Sequence, residues 1–370
     1  MGNISRAFDP GRAIFFLMVF ICCVIAGAVL RLTAAIILPF TIAVLLAFVT
    51  YPMVKKLDKL RCPRIVSILL VITIIVSGLY LFGMIIFTSG RVIAAELPNY
   101  EERLIVIYSY IAQLFELPTF DADLTFFENL WAQLGIRTFV RDFTLSFTNI
   151  VLQFIVSAVL VILFVVFLLL EASYIREKLE TAFEGRAGRF NKMGHDLISQ
   201  VSRYLAAKFF ISLANGVIFA VSFYFIGLEF AIVWGVIQFL LNFIPNLGSI
   251  TAGVIISLFA LMQFWPDPVP IIIVITIILA VNLILCNIFD PKIVGEHVGI
   301  SPLIILVSLA VWGWIWGFAG MVLAVPMTVI IKIVCENIPI MEPVSVLLGT
   351  RKSTRAKKAE RGKQVAGNPE

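Results

Sequence analysis

The chain has 370 residues, of which 61% are hydrophobic and only 14% charged, with a formal net charge of +5. A mean hydropathy of +1.05 is more than a water-soluble domain of this length can hide, so the bilayer is the expected solvent. The excess of base does not indicate nucleic acid, because the basic residues flank apolar runs instead of forming one patch.

Residues 1–90 read as three membrane spans, at 13–31, 33–54 and 65–90. The uncharged runs in this region and at 143–170 each reach the length a spanning helix needs. Ala26-Gly27-Ala28 resembles a signal-peptidase site, but further spans follow at once, which favours a membrane helix. Lys55, Lys56, Lys59, Arg61 and Arg64 stand against the single acid Asp58 in the second connection. The tail, 336–370, carries Arg351, Lys352, Arg355, Lys357, Lys358, Arg361 and Lys363. The positive-inside rule places both, and the N-terminus with Arg6 and Arg12, in the cytoplasm. A polybasic tail can bind anionic lipid, but a solvated topology anchor is the simpler reading.

Segment 91–146 is expected outside as a small extracytoplasmic helical unit, since residues 91–142 hold eight acids and four arginines. Leu104, Ile107, Tyr108, Ile111, Leu114 and Phe115 form a helical stripe. Thr125 and Glu128 match a capping box that opens a second helix. A fourth span, 147–171, leads to a cytoplasmic helical linker, 172–203, broken near Gly185 and Gly188. His195 there reads as structural. A fifth span covers 206–228, with Lys208 expected to snorkel toward water.

Residues 204–335 form the expected transport core. Within it the pattern changes at NFIPNLGSITAG, 242–253, where Asn242, Pro245, Asn246, Gly248 and Ser249 interrupt an apolar run. The flanking stretches 229–244 and 249–264 are each about 24 Å long as helices, short of a hydrocarbon core of about 30 Å. A second interruption, Gly313-Trp-Ile-Trp-Gly317, divides 302–312 from 317–335. Between them lies a span at 270–289. Hairpins 229–264 and 302–335 therefore read as re-entrant, entering from opposite faces, a transporter pattern. Full crossing by all four arms keeps the same parity, so arm length alone favours hairpins.

Pro245 removes a backbone donor and Gly248 permits a tight turn. Asn242 and Asn246 either satisfy the hairpin's own ends or touch a polar solute. Asn282 and Asn287 lie on the 270–289 span, either facing a pathway or bonding neighbouring helices. Asp290 is an ion-site candidate against the reading of a helix-end acid paired with Lys292, with Glu296 and His297 beyond. Glu229 is a second ion-site candidate. Gly313, Gly317 and Gly320 permit close backbone approach, and Trp312, Trp314 and Trp316 either anchor at an interface or close a gate.

Cys22, Cys23, Cys62, Cys286 and Cys335 show no metal or redox spacing. No phosphate loop, dinucleotide fingerprint or hydrolase motif occurs, so neither an enzyme nor a cofactor is expected.

Three blocks carry a resemblance. LPFTIAVLLAFVTYPMVKKLDKL (38–60), the run from YLAAKFF (204–210) through GLEFAIVWGVIQFLLNFIPNLGSITAG (227–253), and DPKIVGEHVGISPLIILVSLAVWGWIWGFAGMVLAVP (290–326) resemble the signatures of the AI-2E family transporters, in that order. The resemblance implies an all-α polytopic protein of the bacterial inner membrane with about eight hydrophobic segments. It also implies a homo-oligomer, with pentamers associated with the family. Family members are linked to export of autoinducer-2 or to sodium/proton antiport. The leading expectation is a small polar solute moved by secondary or passive transport. The rivals are a Na⁺/H⁺ antiporter using Asp290 or Glu229, and a membrane scaffold that binds a partner through 91–146.

Overall fold

The computed structural model describes residues 10–114, 136–182, 187–245, 247–285, 299–338 and 341–350. Among them, every long element is a helix: α1 Pro10–Leu32, α2 Ala34–Lys59, α3 Arg64–Leu114, α4 Ile136–Ala182, α5 Ala187–Ile226, α6 Ala231–Leu241, α7 Leu247–Phe264, α8 Pro268–Ile284, α9 Pro302–Asn337 and α10 Glu342–Leu348. Lipid offers backbone groups no partners, so a polytopic chain pairs them inside helices. Six helical stretches, 34–59, 64–89, 152–172, 193–226, 247–264 and 302–337, are long and apolar enough to cross a membrane. Their exposed side chains include Leu69, Val156, Phe225 and Leu258. This is the all-α, polytopic membrane architecture expected from the composition.

Three helices run past the ends expected for them. α3 continues from the third span to Leu114 without a break, about 77 Å of helix. α4 extends the fourth span to Ala182, and α5 joins linker residues to the fifth span. The capping box at Thr125 and Glu128 lies outside the described residues, as do Gly185, Asn246, Cys286, Asn287, Asp290, Lys292, Glu296 and His297.

The turn Leu60–Pro63 defines a basic end of the bundle, where the Arg64 Nη2 donates to the Leu169 carbonyl at 2.6 Å. Thr33, between α1 and α2, marks the far end. Two helical hairpins pass between these ends in opposite directions. The first is α6 and α7. At its base Gly227 and Phe230 take left-handed backbone angles. There the Gln263 amide donates to the Gly227 carbonyl and its oxygen accepts from the Glu229 N–H, both at 2.8 Å. The second hairpin lies within α9, which folds back at Trp316 and Gly317. Gly317 has φ +61°, a conformation that favours glycine. Across the arms, the Ser308 hydroxyl meets the Ala324 carbonyl at 2.9 Å and the Thr328 hydroxyl at 2.5 Å.

Two glycines make these folds possible. A Cβ at Gly248 would overlap the Leu241 carbonyl, and one at Gly320 would overlap the Trp312 carbonyl. Gly313 opposes the flexible Met321 side chain instead.

Apolar side chains gather in three clusters. One joins α2, α3 and α4 around Val71 and Val165. The second binds the first hairpin to α5 and α8, through Phe219, Phe223, Trp234, Ile256 and Ile278. The third gathers Leu45, Val201, Tyr204 and the second hairpin around Ile244, beside the tip of the first.

Candidate functional site

Between the second and third clusters lies a layer of polar side chains, and its position follows from helical periodicity. Phe219, Trp234, Ala252 and Ile278 belong to one apolar cluster. One turn from each, toward the basic end, stands a polar residue: Asn215 on α5, Gln238 on α6, Ser249 on α7 and Asn282 on α8. Residues three or four apart share a helix face, so four helices deliver polar groups to one level. Ser212 and Asn242 extend the layer by a further turn on α5 and at the end of α6.

Two glycines fix the register between α5 and α6. A Cβ at Gly216 would lie 2.7 Å from the Gly235 carbonyl oxygen, and one at Gly235 would lie 2.6 Å from that of Gly216. The backbones therefore touch. Further toward the basic end, the Asn242 Nδ2 donates to the Ser212 Oγ at 2.9 Å. Asn215 and Gln238 fall between these two contact points, one on each helix.

The hairpin tip satisfies its own backbone. The amides of Phe243 and Ile244 donate to the carbonyls of Leu240 and Leu241, and the Gly248 amide to that of Ile244. Asn242 is thereby released for side-chain partners: besides its bond to Ser212, its Oδ1 accepts from the Ser249 hydroxyl at 3.2 Å. It is 2% exposed and ties α5 to both arms. Pro245 is half-buried at the tip.

Deeper in the layer the hydrogen bonding is incomplete. The Gln238 Nε2 donates to the Asn282 Oδ1 at 3.3 Å, while the Gln238 Oε1 has no partner. Both polar atoms of Asn215 are unpartnered, as is the Trp234 Nε1. Asn215 and Gln238 are each 0% exposed. Buried polar groups are nearly always paired, so four orphaned atoms on the facing helices α5 and α6 need a reason.

The other residues singled out in the sequence distribute as follows. Glu229 sits at the base of the first hairpin, where its backbone meets Gln263. Lys208 is 2% exposed: it lies one turn from Ser212 on the inward face of α5 and does not reach out to water. Gly313, Gly317 and Gly320 frame the second tip, which reaches the far end of the bundle. There the Trp316 Nε1 donates to the Leu30 carbonyl at 3.1 Å. Trp312 and Trp316 are buried against each other, their centroids 5.0 Å apart. Trp314 is 54% exposed beneath the Arg31 guanidinium, 5.0 Å from its ring. The three tryptophans thus divide between a buried pair and one cation-covered ring. Among the described residues, no group of three His, Cys, Asp or Glu side chains is placed to hold a metal ion.

Ser212, Asn215 and Gln238 carry no local mark in the sequence. The available signal was spacing: Lys208, Ser212 and Asn215 recur at i, i+4 and i+7 in an apolar helix, and Gln238 precedes Asn242 by one turn.

The chain matches the family model of the AI-2E family transporter over residues 14–340. It is 29% identical over 325 residues to the AI-2 transport protein TqsA of Escherichia coli K12, covering 86% of this chain and 91% of that protein. It is 27% identical over 350 residues to a provisionally assigned transport protein of Borreliella burgdorferi, covering 94% of each. A similar protein of Haemophilus influenzae is 29% identical over 333 residues, with 88% and 93% covered. With the match spanning both hairpins and the polar layer between them, the chain belongs to the AI-2E transporter family and is a multi-pass membrane transporter.

Proposed function

We propose that this transporter moves a small polar solute by secondary or passive transport, along the seam between α5 and the first hairpin. The observation that carries this reading is the polar layer held between two apolar clusters. Polar side chains deep in an apolar bundle are costly, and they persist where they serve a route or a relay. Apolar clusters on either side would seal such a route at both ends, so that solute passes as one hairpin yields and then the other. No phosphate loop is present in the sequence, which favours a gradient as the driving force over ATP.

Autoinducer-2 is the first solute to test, because it is in the name of the E. coli relative. The purified chain, reconstituted in liposomes, is loaded with autoinducer-2 and its release followed with and without a sodium gradient. Protein-dependent release supports the reading. A pH change driven by added Na⁺, with no solute release, would replace it with cation/proton antiport. In a cysteine-free background, a short bis-maleimide joining Ser212→Cys to Asn242→Cys should block release, since it fixes the tip to α5. Release that continues after complete cross-linking would remove the hairpin from the mechanism.

A further inference from the structure

We infer that α10 and the basic residues behind it dock on an anionic lipid surface, and that this docking tightens a clasp between the C-terminal segment and the root of the second hairpin. The surface lies outside the polar layer and its docking needs no solute, so it is independent of the transport reading.

The clasp is made of backbone. Ile300 and Gly349 form an antiparallel bridge. The Ser301 amide donates to the Leu348 carbonyl at 3.0 Å, and the Thr350 amide to the Gly299 carbonyl at 3.1 Å. The Gly299 carbonyl also accepts from the Lys332 Nζ at 3.2 Å, on the returning arm of the hairpin. Gly299 itself has φ +56°. Three stretches of chain therefore meet at one root: the entry to the hairpin, its returning arm and the C-terminal segment. The entering arm cannot swing at Gly299 without breaking these bonds or carrying α10 with it.

α10 has 7 residues, below the length at which an isolated helix holds in water, so its place is set by what touches it. One side faces the protein, where Ser345 is 1% exposed. Pro343, Val344 and Leu347 share the other side and are exposed, Leu347 by 76%. The helix follows closely on the apolar stretch 302–337, and the second tip is at the far end. This apolar side therefore stands where the basic end of the bundle leaves the membrane. Residues 351–363 come next, with seven bases against one acid, Glu360. An apolar face followed by clustered cations suits the interface of an anionic bilayer: the face enters the acyl boundary and the cations meet lipid phosphate. A second copy of this chain would bring the same cations and repel them, whereas anionic lipid supplies the opposite charge.

The full chain is reconstituted in liposomes of phosphatidylcholine alone or with added phosphatidylglycerol. A nitrobenzoxadiazole label on Ser353→Cys, in a cysteine-free background, reports the tail. Hydrogen exchange of the Ser301 and Thr350 amides reports the clasp, with the Glu229 amide at the root of the first hairpin as control. With phosphatidylglycerol the label's emission should move to the blue and be quenched by doxyl lipid. The two clasp amides should exchange about fivefold more slowly, the factor contributed by one cation held at an anionic surface, while the Glu229 amide does not respond. Both effects should vanish when salt is raised from about 0.1 M to about 1 M, which shortens the screening length from about 10 Å to about 3 Å. They should vanish too in the variant carrying Arg351→Gln, Lys352→Gln and Arg355→Gln. Val344→Gln with Leu347→Gln, at exposed positions that folding does not require, should reduce the blue shift with the tail charge intact. Equal emission in the two lipids, or clasp exchange that ignores lipid charge, would overturn the inference. So would slowing that includes the Glu229 amide, which is a bundle-wide effect. A blue shift in phosphatidylcholine that follows the protein-to-lipid ratio would assign the face to a second copy and overturn it as well.

Discussion

Replacing Asn242 with alanine tests whether the tip of the first hairpin is fastened through side chains. Two bonds of the amide do the fastening, one to the Ser212 Oγ at 2.9 Å and one from the Ser249 Oγ at 3.2 Å. Each neutral hydrogen bond contributes about 1 kcal/mol net. The two serines left behind can turn to carbonyls of their own helices, as Thr251 does with Leu247 and Ser257 with Gly253, so no full desolvation penalty is added. Asn242→Ala should therefore cost about 2 kcal/mol, with a little more for the small void. Unfolding in mixed micelles, driven by sodium dodecyl sulfate, gives the free energy. In a double-mutant cycle with Ser212→Ala the coupling should be about 1 kcal/mol. A variant within about 0.5 kcal/mol of wild type, a change ordinary for surface sites, would refute the fastening argument. Loss of transport with stability intact would instead move Asn242 to the ligand.

Gly248→Ala must push its Cβ into the Leu241 carbonyl. It should cost about 3 kcal/mol or prevent accumulation of folded protein, whereas Gly78→Ala, with nothing within 4 Å, should be neutral or slightly stabilising in the same unfolding assay. Gln263→Leu removes the bonds to the Glu229 N–H and the Gly227 carbonyl, both 2.8 Å, and should lower stability by about 2 kcal/mol. Limited proteolysis should then cut first at 227–230. Trp316→Phe keeps the ring against Trp312 but loses the bond to the Leu30 carbonyl, and a cost of about 1 kcal/mol is expected by micelle unfolding.

The two interruptions were legible because their signals are local. Pro245 and Gly248 break an apolar run, and Gly317 supplies a positive φ where the second hairpin turns. The continuation of α3 beyond residue 90 was hidden, since a helix leaving a membrane keeps its backbone geometry and changes only its solvent. The polar layer was half legible. Asn242 and Asn282 were visible as amides in apolar segments, but Asn215 acquires meaning only beside Gln238, and Gly216 against Gly235 sets that register. The link from Trp316 to Leu30 joins residues 286 apart, a pairing no local pattern encodes. The orphaned atoms of Asn215, Gln238 and Trp234 belong to the same class of problem, because only the assembled helices bring them together.

Gly248 and Gly320 bring the arms of each hairpin so close at the tip that the arms cannot separate or slide without losing backbone contact. In the proposed transport cycle each hairpin would then move as a rigid lever, with bending at its root. For the first hairpin that root already contains Gly227 and Phe230 at φ +78° and +59°; for the second it contains Gly299 at φ +56°. Spin labels on the two arms of one hairpin should report a fixed distance through the whole cycle. Labels on opposite hairpins would act as the ruler of the conformational change.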